Sequence, residues 1–141
     1  MGAASTPATR VENAYRQWRE SKGKDGDVFL DLMADHCEMR SVLSPRKVDN
    51  DLADHRKSKA EAREYFQVLE RDWEMIDFPQ HRILADGDTV VWIGECHWRN
   101  RKTGRDVGSP KVDIWTFEDG KAVAFFEMFD SLAFAQTAGL I

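Results

Sequence analysis

The chain has 141 residues, 42% of them apolar and 32% charged, with 25 acidic against 20 basic side chains for a formal charge of −5. That length suits one folding unit, leaves two cramped, and still buries roughly two-thirds of the surface an unfolded chain exposes. The acidic balance argues against a phosphate-neutralising surface and so against a nucleic-acid partner. An aromatic content of 11%, with five Trp, excludes a disordered chain.

Two Cys, Cys37 and Cys96, cannot staple a scaffold, and no CxxC or Cys/His spacing points to a metal. The opening MGAASTPATRVENAYRQW lacks the uninterrupted apolar stretch of a signal peptide. No apolar run approaches the roughly 20 residues of a membrane helix. These features lead us to expect a soluble, cytoplasmic protein with reduced thiols and no membrane contact. Residues 1–8 are small and polar and are expected to fray, leaving one domain over residues 9–141.

Thr9-Arg-Val-Glu12 has the form of a capping box, and Val11, Ala14, Tyr15 and Trp18 then recur at helical spacing. Lys22 to Gly26 breaks that helix. Asp27 can cap a short second one carrying Phe29, Leu32 and Met33. Ala34 to Val42 alternates as a first strand, and Leu43 to Lys57, polar and containing Pro45, reads as a long loop. Ser58-Lys-Ala-Glu61 is a second capping box, followed by Ala62, Tyr65, Phe66, Leu69 and Trp73 on one helical stripe. After Pro79 the period becomes two. His81–Ala85, Thr89–Arg99, Lys111–Phe117 and Ala122–Asp130 are strands, with turns at Asp86-Gly-Asp88, Thr103-Gly104 and Glu118-Asp-Gly120. Helices followed by antiparallel strands make an α+β plan, three helices packed on one face of a strongly curved, mostly antiparallel sheet.

The last hairpin carries the chemistry. A three-residue loop with Gly120 left-handed pairs Phe117 with Lys121, which sets Asp113 opposite Phe125 with Glu127 as its diagonal neighbour on the same face. Trp115, Phe117, Phe125 and Phe129 share that face. A two-residue loop would instead put the two acids on opposite faces. Carboxylates close together among aromatic rings resist double ionisation, so one is expected to hold its proton near neutrality. Such a pair can act as acid and base on one substrate, or donate to a developing enolate oxygen. Lys111, opposite Glu127 in this register, offers the plainer alternative of an ordinary ion pair. His97 is a candidate second general base, though a strand histidine more often only hydrogen-bonds. His36 and His55 have no evident partner, and Cys37 and Cys96 read as inert thiols. No Gly-rich phosphate loop, no GxSxG elbow and no metal-ligand set is present.

The segments "LMADHCEM", "LADGDTVVWIGE", "TGR", "VDIWTFEDGKAV" and "FFEMFDSLAF", in this order after an aromatic-bearing helix, resemble the SnoaL-like branch of the cystatin-like α+β cone superfamily. That superfamily also holds nuclear transport factor 2 and ketosteroid isomerase, and the resemblance spans about Val11 to Leu140. It implies a conical cavity between sheet and helices, frequently in a homodimer. It sets Asp113 where ketosteroid isomerases place a protonated oxyanion-hole Asp. Glu127 falls where SnoaL-type cyclases and limonene epoxide hydrolases carry an acid/base Asp. Ser41 occupies the isomerase base position and cannot take a carbon-bound proton. The isomerase's oxyanion Tyr has no clean match, the hydrolase's Arg and second Asp fall near Gly94 and Cys96, and the cyclase's His position is occupied by Asp113.

The expected protein is therefore a cofactor-independent isomerase, cyclase or hydrolase for an apolar or carbonyl-containing metabolite. Glu127, Asp113 and His97 are its candidate catalytic groups. Tyr15, Trp18, Met39, Trp115, Phe125 and Phe129 are its candidate pocket wall. The alternatives are a binding module for a hydrophobic ligand, or an interaction domain. Val112, Ile114, Phe126 and Met128 on the outer sheet face suit a homodimer contact.

Overall fold

The computed structural model describes residues 5–141. Helix α1 spans Pro7–Glu20; Thr6 caps it, its hydroxyl accepting from the Thr9 N–H, and Pro7 fills the first turn where no N–H is needed. The helix thus begins before the expected Thr9 cap, and Pro7 and Ala8, expected to fray, are helical; residues 1–4 lie outside the described residues. Val11, Ala14, Tyr15 and Trp18 form its buried stripe. A short α2, Asp27–Leu30, buries Phe29 and Leu30. Strand β1, Met33–Ser41, follows directly. The long loop holds one turn of 3-10 helix at Asp51–Ala53. Helix α3, Lys59–Asp72, starts at Ser58, whose side chain accepts from the Glu61 N–H, while the Glu61 carboxylate accepts from Lys57 N–H.

Trp73 does not end the α3 stripe. Its backbone is extended, and it opens strand β2, Trp73–Asp77. Strands β3 (Gln80–Asp86), β4 (Thr89–Asn100), β5 (Asp106–Glu118) and β6 (Lys121–Phe129) lie where the alternation puts them, each running past its expected bounds at one end or more; β6 begins one residue early at Lys121 and stops one short at Phe129. A fourth helix, α4 at Ser131–Thr137, capped by Asp130, was not apparent from the sequence. The six strands run in the order β1-β6-β5-β4-β2, with β3 also on β4. β1 and β6 are parallel and the other pairs antiparallel, so the sheet is mixed and open. One β4 edge serves two partners: β2 pairs near Asn100 and β3 nearer Thr89. Gly94 sits where they meet, and a Cβ there would lie 2.2 Å from the Pro79 carbonyl, so only glycine permits the approach.

The β5–β6 hairpin settles the register. Glu118 pairs with Lys121, so the turn has two residues, Asp119 and Gly120, both at positive φ as the mirror-image type I turn demands. The three-residue loop is not formed. A bulge at Val123 then restores the alignment: Phe117 pairs with Ala122 but Thr116 with Ala124. Beyond it Trp115 faces Phe125, Asp113 faces Glu127 directly, and Lys111 faces Phe129 rather than Glu127. The extra residue cancels the turn's half-period, so both acids point inward.

Candidate active site

Asp113, Glu127 and Lys111 all point to the concave side of the sheet, 1%, 6% and 8% exposed. They sit in a cavity walled by Tyr15, Trp18, Phe29, Met39, Phe78 and Trp115, with Phe125, Phe129 and Trp73 further along. The cavity has a free volume of about 80 Å³.

The polar groups form one chain. Trp115 Nε1 donates to the Tyr15 hydroxyl at 3.0 Å, and that hydroxyl donates to Asp113 Oδ2. Lys111 Nζ donates to Asp113 Oδ1 and lies 3.6 Å from Glu127 Oε2. The Tyr65 hydroxyl of α3 donates to Glu127 Oε1 at 2.8 Å. Four elements converge here: α1 brings Tyr15, α3 brings Tyr65, β5 brings Lys111, Asp113 and Trp115, and β6 brings Glu127. Packing fixes the orientations. Tyr15 stacks on Trp92 with centroids 4.4 Å apart, and the Lys111 ammonium lies between the rings of Phe78 and Phe125 at 5.6 and 5.7 Å.

Burial pushes the Glu127 carboxyl above the usual carboxylate range, and the neighbouring Asp113 adds to this while Lys111 opposes it. Burial alone would weaken the Lys111 ammonium, but Asp113 and Glu127 outweigh that and hold it protonated. Burial, then Asp113 beside Tyr15 and Glu127 beside Tyr65, raises both phenols, so they stay donors. Cys96 lines the same cavity, and burial raises its thiol to about 12.

The two acids are thus brought together, but with a lysine between them, and among the described residues their hydrogen bonds go to other groups rather than to each other. All six residues expected in the pocket wall line the cavity. His97 does not join them: the alternation of β4 turns Cys96 inward and His97 outward, where Glu95 bridges it to His81 at 3.1 and 2.6 Å. Those two histidines lower the Glu95 carboxyl. His55 finds a partner in Glu38 at 3.0 Å. Ser41 pairs beside Glu127 in the β1–β6 ladder, its hydroxyl accepting from the Leu43 N–H. Sequence reasoning missed Tyr65 as a site residue; the signal was a hydroxyl within an apolar helical stripe, since a buried phenol needs a partner. Among the described residues, no group of three or more His, Cys, Asp or Glu is placed to hold a metal ion, and no helix is long and apolar enough to cross a membrane.

An open mixed sheet backed by helices around an aromatic slot with a buried polar chain defines a small-molecule pocket protein of α+β cone type. The chain belongs to the SnoaL-like domain family, whose profile matches residues 11–125. Solved structures agree on the fold. An NTF2-like protein from Burkholderia thailandensis superposes with a TM-score of 0.78 at 24% identity, covering 95% of this chain and 98% of its own. TerC, crystallised with polyporic acid, gives 0.75 at 21% identity over 92% and 95%. A protein from Jannaschia sp. named as a SnoaL-like polyketide cyclase gives 0.71 at 19% identity over 99% of each chain. A comparison with curated proteins found no match.

Proposed function

We propose that the chain is a cofactor-independent enzyme of isomerase, cyclase or hydrolase type, acting on an apolar, carbonyl-bearing metabolite by proton transfer. The observation that carries this reading is Glu127, a buried acid with a raised proton affinity, 3.6 Å from a lysine ammonium inside an aromatic slot. A carboxyl tuned upward toward neutrality suits proton exchange with carbon. Ionised Glu127 would take a proton from the carbon next to the substrate carbonyl, and the electron pair would move to the carbonyl oxygen. An N–H of Lys111 would hold that oxygen, and protonated Glu127 would return the proton to carbon. Asp113, which accepts from both Tyr15 and Lys111, would position the ammonium. It is placed to accept hydrogen bonds, so the oxyanion-donating part passes to Lys111.

One observation favours a second reading, a non-catalytic binding module: Tyr15, Tyr65, Lys111, Asp113, Trp115 and Glu127 each already have a polar partner within the protein. A single experiment separates the two. 2-Acetylnaphthalene in D2O, followed by NMR, should lose its methyl protons faster with the protein present. Glu127→Gln should reduce that exchange by about a hundredfold or more. Binding without exchange in the native protein would favour the binding module; full exchange in the variant would remove Glu127 from the reaction.

We further propose a homodimer through the outer sheet face. The register aligns Phe126, Ile114, Val91 and Leu84 across four strands, and Met128, Val112 and Ile93 beside them. Both cysteines are buried and free, in keeping with a reducing, cytoplasmic compartment.

A further inference from the structure

Strand β3 stands apart in the sheet: within Gln80–Asp86 only Ile83 is even partly buried, and Leu84 is 42% exposed. It pairs with β4 on one side alone. The sheet's other outer strands have company. Met39 of β1 exchanges backbone hydrogen bonds with Arg56, and the Ile76 carbonyl of β2 accepts from Lys22 Nζ. Among the described residues no group bonds to the open edge of β3 from His81 to Asp86. A bulge at His81 leaves a regular stretch, Arg82–Asp86, with neither the proline nor the lysine that commonly blunts an edge. Nearby, His81 and Arg99 are ion-paired with Glu95 and Asp106. Arg82 and Asp86 are exposed and have no ion-pair partner among the described residues.

We propose that this edge is an interface for a second copy of the chain, the two β3 strands pairing antiparallel about a twofold axis at Leu84. The register follows from the hairpin. Gly87-Asp88 is a two-residue turn, so Asp86 and Thr89 exchange both their hydrogen bonds. Alternation then turns the backbone of Leu84 and Arg82 toward β4 and that of Ile83 and Ala85 to the open edge. A partner strand must set its own edge-facing residues against these. With Leu84 on the axis, Ile83 exchanges hydrogen bonds with the partner's Ala85, and Arg82 lies opposite the partner's Asp86, once on each side. A slip of two residues either way puts a charge opposite leucine instead. The charge pairs and the Leu84 pair fall at the positions without hydrogen bonds, where side chains stand closest. On the outer face the Leu84 pair carries the apolar row of Val91, Ile114 and Phe126 across the axis. The contact needs neither a substrate in the cavity nor the face-to-face dimer. One strand against one is a narrow contact, so it forms at about 1 mM, well above the concentrations at which a broad face associates.

Sedimentation equilibrium of the native protein and two charge-reversed variants tests this. Whatever mass the native protein shows at about 20 μM, it should rise toward twice that value at about 1 mM. Arg82→Asp and Asp86→Arg each set like charges opposite one another on both sides of the axis. Each should weaken the association about tenfold or more and hold the mass at its low-concentration value. Mixed in equal amounts, the two variants restore opposite charges at both positions, and the mixture should recover the rise. In the native protein, amide hydrogen exchange followed by NMR gives a readout that needs no variant. Ile83 and Ala85 should exchange about twofold more slowly at the higher concentration, while Leu84, bonded to β4, keeps its rate. No rise in the native protein, a rise that survives either reversal, a mixture that stays dissociated, or Ile83 and Ala85 rates unchanged with concentration would each overturn the proposal.

Discussion

Lys111→Met is the change that most directly tests how the cavity is held together. The thioether chain fills nearly the same space between Phe78 and Phe125, so packing is largely kept and charge is lost. What remains is two buried acids facing each other across the β5–β6 ladder, with only Tyr15 and Tyr65 as donors. At an effective dielectric near 20, a charge pair about 4 Å apart is worth about 4 kcal/mol. Removal of the lysine also relieves its own desolvation cost. Breaking a buried pair on one side typically leaves a net loss of about 3–5 kcal/mol. For a chain of this size that corresponds to roughly 4 °C per kcal/mol in Tm, or about 12–20 °C in all.

The loss should also depend on pH, and its sign follows from Glu127. Its proton affinity in the folded protein lies above the ordinary value of 4.5, chiefly through burial, and Lys111 holds the rise in check. A carboxyl raised on folding stabilises the folded state below 4.5, and that stability is lost as pH climbs through the folded value. Without Lys111 the folded value moves higher still, so the decline continues over a wider window. Urea unfolding of both proteins at a series of pH values from 4.5 to about 8.5 should therefore show a gap that widens with pH. A gap below about 1 kcal/mol, or one unchanged across the series, would refute the reasoning that Lys111 is the counter-ion of both acids.

Glu127→Gln should flatten the native protein's stability profile above pH 4.5, because the group whose ionisation opposes folding is gone; urea midpoints across the same series would show it. Deletion of Val123 should remove the bulge yet keep Thr116 opposite Ala124 and Asp113 opposite Glu127, so methyl exchange in D2O and the Tyr65 hydrogen bond should persist, with two-dimensional NMR reporting the pairing; loss of both would refute the register argument. Ile114→Asp, in the centre of the outer apolar row, should shift sedimentation from dimer to monomer while the far-ultraviolet circular dichroism is unchanged.

Much of the architecture was written in periodicity. The apolar stripes of α1 and α3 and the period-two segments after Pro79 are local patterns, and the structure follows them. What escaped depends on contacts distant in sequence. Trp73 satisfies the helical spacing of α3 and equally the alternation of β2; partnership with Asn100, 27 residues later, decides for the strand. Helix α4 is only seven residues long, and it is held by Phe134 against Trp73 and Phe129 rather than by its own propensity. In the same way, the candidate residues of the wall were legible because an inward face is a matter of parity. Tyr65 was not, because its partner lies on another element.

The parity argument itself needed two features to coincide. Asp119-Gly120 favours a two-residue mirror-image turn, since both positions must take positive φ and neither residue resists it. Such a turn alone would pair Asp113 with Phe126 and leave Glu127 facing outward opposite Val112. The Val123 bulge, sitting between Ala122 and Ala124 where small neighbours leave room for a kink, supplies the missing half-period. Bulges re-aim side chains, and here the one re-aimed is the acid proposed to carry the chemistry. A hairpin built for strand pairing alone would have no use for the extra residue. Its position, four residues before Glu127, ties the turn, the register and the polar chain to a single local choice of backbone.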